Sequence, residues 1–258
     1  MFKDKKILAV IPARGGSKGI PHKNLQKIGR RTLVEWAFNT AQKYTFADRI
    51  IVSSDSSYII KKVNRIGKFA PFVRPAELAK DNSPSLPVFQ HALKWSEDAD
   101  NCVYNFIVVL EPTCPFRLPQ HISKAVEIAI NQKASSVISL VKVSDCHPVR
   151  IKRLMNDGKI EPFCIEEPEG LRRQDQEAAF IRNGAVYVFS RQTIINNQLW
   201  GDNPYGFEME KSYYSINIDE PFDLLMARHV YNEFKKKGIL HYIDSTVNAS
   251  AVTGVTGQ

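Results

Sequence analysis

The sequence predicts an α/β fold, built as an open, mostly parallel sheet with helices on both faces. Residues 7–11 are continuously apolar, which suits a strand buried on both sides of a parallel sheet. Further apolar runs follow, and segments with helical spacing alternate with them along most of the 258 residues. Sheets of this kind bind ligands beyond the carboxyl ends of their strands, so we expect the polar residues that follow each strand to meet at one edge.

The first half of the chain repeats the order strand, polar loop, helix. Thr32 is placed to cap a helix that runs to about residue 43, where apolar residues recur at helical spacing. A strand at 49–53 ends in the polar residues 54–56, and residues 57–65 form the next predicted helix. The same patterns predict a helix at 86–97, a central strand at 106–110, a helix at 121–131 and a strand at 136–141.

The second half departs from this order. Segments 149–154 and 159–163 flank Asn156-Asp157-Gly158, a strong hairpin signal, so we predict a β-arm inserted at about 147–170. The tail at 241–258 has no helical or alternating pattern and is predicted to be flexible. The main domain, residues 1–240, is completed by predicted strands at 185–189 and 213–218 and by a final helix from Pro221 to about residue 237.

The positive charge of the chain is concentrated near its start. Residues 5–34 contain eight Lys and Arg and no acidic residue, which equals the formal net charge of +8. The rest of the chain is neutral, with 27 cations against 27 acids. A nucleic-acid binder usually spreads its cations over a wider surface, so this distribution favours a small polyanionic ligand. The alternative is a lysine-rich loop that is merely solvated.

The loop at residues 12–27 combines these cations with glycines that let backbone N–H groups approach an anion closely. The Walker pattern fails because Ile20 stands five residues after Gly15, where that pattern has glycine. The order G-G-x-x-G also differs from the dinucleotide pattern G-x-G-x-x-G. A cationic loop without either pattern indicates nucleotidyl transfer, in which pyrophosphate leaves. The residues concerned are Gly15, Gly16, Gly19, Arg14, Lys18, Lys23 and Lys27.

Cysteine use and hydropathy favour a reduced, cytoplasmic protein. The four cysteines are widely spaced, with neither a C-x-x-C pair nor a cluster of histidines, so no zinc site or disulfide scaffold is indicated. The apolar run near the N-terminus is too short to cross a membrane or to act as a signal sequence. Neither a membrane nor a nucleic acid is an expected partner.

Six motifs occur in order along the chain. They are IPARGGSKGIPHKN at 11–24, SSDS at 53–56, RPAELAKDNSPS at 74–85, EPTCPFR at 111–117, RRQD with RNGAVYVF between 172 and 189, and NIDEPFD at 217–223. This set resembles the acylneuraminate cytidylyltransferases, or CMP-sialic acid synthetases, over about residues 5–235. The resemblance implies a Rossmann-like nucleotidyltransferase sheet. It also implies that CTP activates a 2-keto sugar acid, N-acetylneuraminate or a related nonulosonic acid, with release of pyrophosphate and help from Mg²⁺.

The resemblance also implies roles for individual residues. Asp219 is the expected Mg²⁺ ligand, and a cap for the helix that starts at Pro221 is the lesser alternative. Ser85 is expected in the nucleotide pocket, with a helix cap before Leu86 as the alternative. The triphosphate is assigned to Arg14, Lys18 and Lys23, with Gly15, Gly16, Ser17 and Asn24 beside them, the base and ribose to Arg74 and Ser85, and the sugar acid to Arg173 and Asn183.

Two residues depart from the family pattern. Asn217 replaces a common aspartate and Glu111 replaces a common glutamine. Glu111 either lines the sugar site and alters its charge or supplies the carboxylate that Asn217 lacks. Because fold alone does not fix the substrate, a same-fold enzyme for a different sugar and a catalytically weakened nucleotide-binding protein stay as alternatives. The resemblance also implies that the inserted arm reaches across to a second subunit, which would give a homodimer with two-fold symmetry.

Overall fold

The computed structural model describes residues 2–44, 46–143, 147–166, 172, 175–210 and 213–238. Ten strands and six helices occur within these residues. The strands are β1 (Ile7–Pro12), β2 (Lys27–Ile28), β3 (Arg31–Thr32), β4 (Arg49–Ser53), β5 (Phe106–Val109), β6 (Ser136–Lys142), β7 (Lys152–Leu154), β8 (Ile160–Pro162), β9 (Phe180–Ser190) and β10 (Pro204–Glu208). The helices are α1 (Leu33–Lys43), α2 (Ser57–Asn64), α3 (Ser85–Asp100), α4 (Pro119–Asn131), α5 (Arg191–Ile195) and α6 (Pro221–Lys236).

Six of the strands form one sheet in the order β10-β6-β9-β5-β1-β4. β1 pairs in parallel with β4 and β5, and β6 pairs in parallel with β10. β9 alone runs antiparallel to both of its neighbours, β5 and β6. The open, mostly parallel sheet is therefore confirmed. Because β9 is reversed, it begins at the edge where the parallel strands end, and its first residues join the polar loops there.

Both faces of the sheet are covered by helices, as predicted. Ile7 and Ile11 of β1 lie in one apolar cluster with residues of α1 and α4, whereas Leu8 and Val10 lie in a second cluster with residues of α3. This alternation explains why residues 7–11 are apolar without interruption: the strand buries side chains on both sides. A third cluster joins Trp36 of α1 to residues of α6.

The start of α1 follows the sequence signal closely. Thr32 and Glu35 form a capping box, in which the Thr32 backbone N–H donates to Glu35 Oε2 at 2.7 Å. Reciprocal bonds of this kind satisfy backbone N–H groups that a helix leaves unpaired at its first turn. The cap fixes the helix directly after the cationic loop and the short β2–β3 hairpin.

Three sequence-based assignments need correction. The predicted strand at 213–218 is wrong: Tyr213–Ser215 is a 3₁₀ turn, and the Ile218 N–H donates one isolated backbone hydrogen bond to the Thr113 carbonyl, at 2.9 Å. Its apolar residues are explained by packing, because Ile218 lies in the cluster with α6. β9 starts at Phe180, so Asn183 and Gly184 lie inside the strand and not before it. β10 was not predicted because proline and glycine interrupt its short edge segment.

The inserted arm is present as a hairpin. β7 and β8 pair antiparallel, with Lys152 opposite Pro162, and Gly158 in the connecting turn has a φ of +83°. That left-handed conformation favours glycine, as the Asn-Asp-Gly signal implies. Residues 167–170 of the predicted arm and the tail at 241–258 lie outside the described residues. No helix in the described part of the chain is both long and apolar enough to cross a membrane.

Candidate active site

A cleft of about 280 Å³ opens at the carboxyl ends of β1 and β5, where the sheet topology places it. The motif segments 11–24, 74–85 and 111–117, which are distant in sequence, all contribute to its walls. The lining residues are Pro12, Arg14, Lys23, Asn24, Arg74, Leu78, Lys80, Asp81, Ser83, Ser85, Val88, Phe89, Glu111, Pro112 and Thr113.

The cationic loop closes directly against the segment that carries Asp219. Lys23 Nζ lies 3.0 Å from Asp219 Oδ1 and donates to the Ile218 carbonyl at 3.1 Å. A Cβ on Gly19 would lie 2.8 Å from the Asp219 carbonyl oxygen, so only glycine permits this approach without a shift. Asn217 Nδ2 donates to Asp219 Oδ2 at 2.5 Å. Both carboxylate oxygens of Asp219 are thus held by neighbouring donors.

The loop is also held from its other side. Asn24 is buried, and its Nδ2 donates to the Arg14 carbonyl at 2.8 Å. The Gly15 N–H donates to Asp55 Oδ1 at 2.8 Å, which ties the loop to the polar end of β4. Gly16 and Ser17 lie in the same loop, and a Cβ on Gly16 would meet no atom within 4 Å. The structure therefore brings the predicted phosphate-binding residues together in the one loop that follows β1.

Two of the loop cations are paired with an acidic residue that the sequence reasoning did not single out. Arg14 Nη2 lies 3.0 Å from Asp81 Oδ1, and Lys18 Nζ lies 3.4 Å from Asp81 Oδ2. The Lys18 side chain is 82% exposed and stands at the rim of the cleft. Asp81 belongs to the motif at 74–85, so its position in that motif was the available signal.

Arg74 lies in the wall of the cleft, beside β4. It is buried, its Nε donates to Ser53 Oγ at 3.0 Å, and its Nη2 donates to the Ser53 carbonyl. Burial lowers the pKa of Arg74 to about 10, although the guanidinium stays charged at neutral pH. Ser85 is the first residue of α3 and Pro84 is its cap, so the cap alternative for Ser85 is wrong. The Ser85 side chain is left to line the cleft.

A second, smaller pocket of about 90 Å³ adjoins the cleft. Glu111, Ser85 and Phe89 line both cavities and so form the boundary between them. The smaller pocket is mainly aromatic, and Arg182 stacks over Trp200 with its guanidinium carbon 5.3 Å from the ring centre. Its remaining lining residues are Arg182, Tyr187, Phe189, Leu199 and Trp200. Three of these, Arg182, Tyr187 and Phe189, come from β9.

Glu111 directs a carboxyl group into this shared boundary. Burial raises its pKa, nearby Asp219 acts in the same direction, and Arg117 and Lys23 oppose the shift. No described residue makes a hydrogen bond with the carboxylate, so its acceptor capacity faces the two cavities. A bound group that donates hydrogen bonds or carries positive charge suits this position.

Arg117 fixes the loop that carries Glu111, a role that the sequence did not reveal. Its side chain is 1% exposed and donates to the carbonyls of Cys114 at 2.9 Å, Ala185 at 2.8 Å and Glu111. The guanidinium thereby joins the end of β5 to β9. Burial lowers its pKa to about 10. A cation within a motif such as EPTCPFR suggests contact with a ligand. The structure shows instead that Arg117 is an internal clamp, bound to three backbone carbonyls.

The two residues assigned to the sugar acid have different outcomes. Asn183 lies beneath the cleft: its Oδ1 accepts from Ser139 Oγ at 2.6 Å, and its Nδ2 contacts Met209 Sδ at 3.2 Å. With its side chain engaged in this way, Asn183 is placed to hold β9 in position. Arg173 lies outside the described residues, so its assignment stays a prediction.

Comparison with known proteins identifies the family. A family model described as cytidylyltransferase matches residues 8–241, most of the chain. The chain belongs to the cytidylyltransferase family.

Curated relatives of this cytidylyltransferase share about three residues in ten with it. It is 28% identical over 88% of its length to the post-translational flagellin modification protein B of Campylobacter coli, of which 96% is covered. It is 31% identical over 86% of its length to the N-acylneuraminate cytidylyltransferase of Oncorhynchus mykiss and spans half of that protein. It is 29% identical over 84% to the CMP-N,N'-diacetyllegionaminic acid synthase of Legionella pneumophila, of which 93% is covered.

Solved structures show the same fold. The structure of a CMP:2-keto-3-deoxy-manno-octonic acid synthetase complexed with CTP matches 89% of this chain and 99% of its own, with a TM-score of 0.66 and 17% identity. A 4-diphosphocytidyl-2C-methyl-D-erythritol synthase from Anaerococcus prevotii matches with a TM-score of 0.54 and 16% identity, covering 88% of this chain and 99% of its own. These likenesses confirm a nucleotidyltransferase fold of the Rossmann-like kind.

The cytidylyltransferase offers oxygen donors that suit Mg²⁺. Asp219 carries a carboxylate at the edge of the cleft, and Glu220, not Asp219, caps α6, so the cap alternative for Asp219 is wrong. Within the described ranges there is no group of three or more His, Cys, Asp or Glu side chains that could hold a metal. Mg²⁺ is commonly held by one or two carboxylates together with phosphate oxygens and water, and Asp219 fits that arrangement.

Proposed function

We propose that this protein transfers a cytidylyl group from CTP to a 2-keto sugar acid of the sialic type, giving the CMP-sugar and pyrophosphate. The proposal rests chiefly on one observation: a cation-lined cleft and an aromatic pocket share the boundary residues Ser85, Phe89 and Glu111. Two ligands bound side by side would therefore meet at that boundary. Two relatives, an N-acylneuraminate cytidylyltransferase and a CMP-N,N'-diacetyllegionaminic acid synthase, support a nonulosonic acid as the acceptor.

The residues of the cleft suit the donor half of this reaction. The acceptor's hydroxyl oxygen forms a bond to the α-phosphorus of CTP and gives up its proton to solvent. The bond from that phosphorus to the bridging oxygen breaks, and pyrophosphate leaves with added negative charge. Arg14 and Lys23 line the cleft where this charge would develop, and charge-assisted hydrogen bonds stabilise it. No covalent intermediate is needed, so positioning and electrostatics provide the catalysis.

The smaller pocket suits the acceptor. Its aromatic side chains, including Tyr187, Phe189 and Trp200, offer apolar contact to an acyl substituent, and Arg182 adds positive charge for a carboxylate. Glu111 accepts hydrogen bonds from hydroxyl or N–H groups of the same ligand. This supports the first reading of Glu111, in which it alters the charge of the sugar site.

Mg²⁺ belongs to the proposal as the metal that neutralises phosphate charge. When bound, it would supply positive charge to the triphosphate and orient its oxygens. Asp219 would hold it, and both Lys23 and Asn217 fix the orientation of the Asp219 carboxylate. Since Asn217 is neutral here, the site contributes fewer negative charges than a pair of aspartates, and it depends more on the phosphate oxygens.

The β7–β8 arm supports a homodimer. Leu154, Ile160 and Phe163 on this arm are 77%, 67% and 55% exposed, and large apolar side chains exposed together on a small hairpin favour contact with another surface. We propose that a second copy of the chain covers these side chains. We also propose that the protein works in the cytoplasm, where the thiols of Cys102 and Cys114 stay reduced. On sizing at working concentration, a dimer is expected and a monomer would contradict this part of the proposal.

The function is tested by pyrophosphate release with a matrix of nucleotides and sugar acids. We expect release that requires CTP, Mg²⁺ and one nonulosonic acid, with little release from ATP, GTP or UTP. If CTP binds but no sugar in a broad panel releases pyrophosphate, the protein is a nucleotide-binding protein and the proposed activity is wrong. Release with an unrelated sugar and another nucleotide would instead support a same-fold enzyme of different specificity.

A further inference from the structure

Asp81 forms ion pairs with two of the cations that the proposed triphosphate site needs, Arg14 and Lys18. Its two carboxylate oxygens lie 3.0 Å from Arg14 Nη2 and 3.4 Å from Lys18 Nζ. Beside it, the Lys80 carbonyl accepts a hydrogen bond from Arg14 Nη1 at 3.1 Å. One turn of the chain therefore covers both cations with a carboxylate and a carbonyl oxygen, the kinds of acceptor that a phosphate group would replace.

The turn that carries Asp81 is closed on itself and exposed. Ser83 Oγ donates to the Glu77 carbonyl at 2.6 Å, and the Ser83 N–H donates to the Lys80 carbonyl at 3.1 Å. The chain is anchored before this turn by the buried side chain of Arg74 and after it by α3. Asp81 can consequently leave the two cations without breaking the bonds that shape its own turn.

The energies favour exchange with a highly charged anion. Exposed ion pairs contribute little to stability because water screens them, and the Asp81 side chain is 44% exposed. Arg and Lys make charge-assisted hydrogen bonds to carboxylate and phosphate oxygens alike, so a triphosphate gains over Asp81 by its greater charge and its larger number of acceptor oxygens. A singly charged anion gains too little to displace the carboxylate, whereas a triphosphate or pyrophosphate gains enough.

We propose that Asp81 is a reversible counter-ion of the phosphate site: it covers Arg14 and Lys18 when the site is empty and is displaced by polyphosphate. The inference rests on the proposed function, because it takes the ligand to be CTP and its product pyrophosphate. It adds a form of regulation to that site. Protein molecules in which Asp81 covers Arg14 and Lys18 cannot bind an anion there, so the apparent affinity of the site for every anion is lowered. When the Asp81 carboxylate returns to these cations, it competes with pyrophosphate and promotes its release.

The test is calorimetric binding of inorganic pyrophosphate and of CTP to the full chain. We expect Asp81→Asn to bind pyrophosphate about three- to tenfold more tightly than the wild type, which lies within the roughly two- to thirtyfold range that two exposed ion pairs allow. Asp98→Asn is the matched control, because Asp98 pairs with Lys94 at 2.9 Å on the exposed face of α3 and its substitution changes the net charge equally. It should leave the affinity unchanged. Asp81→Glu keeps the carboxylate and should stay near the wild type.

The outcomes separate this inference from the proposed function. Equal or weaker binding by Asp81→Asn and Asp81→Ala, with wild-type binding intact, overturns the counter-ion role and leaves cytidylyl transfer standing. Equal tightening by Asp81→Asn and Asp98→Asn reduces the effect to net charge and also overturns it. If the wild type binds neither CTP nor pyrophosphate, the proposed function itself is wrong.

Discussion

Lys23 and Asp219 form an ion pair across 196 residues of sequence, with Nζ 3.0 Å from Oδ1. Lys23 is the more buried of the two, and it also donates to the Ile218 carbonyl at 3.1 Å. The pair joins the first loop of the sheet to the start of α6, so the proposed triphosphate site and the proposed metal ligand are positioned by the same contact.

Lys23→Met is expected to lower the rate of CTP-dependent pyrophosphate release by roughly two orders of magnitude, because it removes a cation from the leaving group. It also leaves Asp219 without its ammonium partner. The measurement is kcat and KM for CTP at saturating acceptor. Lys94→Met removes a lysine from an exposed pair with Asp98 and should match the wild type. A Lys23→Met enzyme with unchanged kcat contradicts the role assigned to this residue.

Gly19→Ala is expected to separate the cationic loop from the Asp219 segment. The added Cβ would lie 2.8 Å from the Asp219 carbonyl oxygen, and forced overpacking of this kind costs about 1–3 kcal/mol. Thermal unfolding measures the loss. Gly16→Ala is the control in the same loop, since its Cβ would meet nothing within 4 Å. Equal melting temperatures for the two variants would show that the loops do not approach as closely as described.

Arg117→Met is expected to lower the free energy of unfolding by about 3 kcal/mol or more, because three carbonyl oxygens lose a buried charged donor. Arg117→Lys should recover little, since an ammonium lacks the planar fork that reaches all three. Denaturant titration gives the values. Exposed Arg65→Met should change stability by less than about 0.5 kcal/mol. Wild-type stability of Arg117→Met would mean that the clamp is dispensable.

Glu111→Gln is expected to stabilise the protein more at pH 8 than at pH 5. Burial raises the pKa of Glu111 above 4.5, so the folded protein holds the proton more tightly than the unfolded chain. The stabilising contribution is present at acidic pH and is lost as the pH rises from 4.5 through the raised folded pKa. Urea midpoints at both pH values test this, with exposed Glu208→Gln as control. A gain independent of pH would exclude a buried, titrating carboxyl.

Asn217→Asp is expected to destabilise the protein without Mg²⁺ and to enlarge the stabilisation that Mg²⁺ provides. The amide that donates to Asp219 Oδ2 at 2.5 Å becomes a carboxylate, and two adjacent like charges repel unless a cation lies between them. Melting temperatures in EDTA and in Mg²⁺ show both effects. We expect no gain in turnover, since Asn217 orients Asp219. A marked gain would support a catalytically weakened protein.

Much of the fold followed from local patterns. The uninterrupted apolar run at 7–11 identified a strand buried on both faces, and Thr32 with Glu35 identified the start of α1. The hairpin at 152–162 followed from Asn-Asp-Gly. The predicted strand at 213–218 failed because its apolar residues serve packing against α6, and a sequence alone does not separate burial in a loop from burial in a sheet.

The site was predictable in its chemistry and less so in its contacts. The residue types of the cationic loop and of Glu111 indicated polyanion and acceptor binding, and the cleft contains Arg14, Lys23 and Glu111. The pairing of Asp81 with Arg14, the internal role of Arg117 and the burial of Asn183 each depend on where distant segments meet. The spacing of residues along the chain does not predict which distant segments come into contact, so these three findings depended on the three-dimensional structure.

The reversed direction of β9 has a consequence for how specificity can change. The wall facing the nucleotide comes from the first 113 residues, whereas most of the aromatic pocket comes from residues 182–200. The later residues, from Arg182 to Trp200, form one short stretch of sequence that contributes nothing to the wall of the larger cleft. Under the proposed function, substitutions within that stretch change contacts to the acceptor and leave the donor wall intact, whereas changes at the shared boundary residues Ser85, Phe89 and Glu111 affect both ligands.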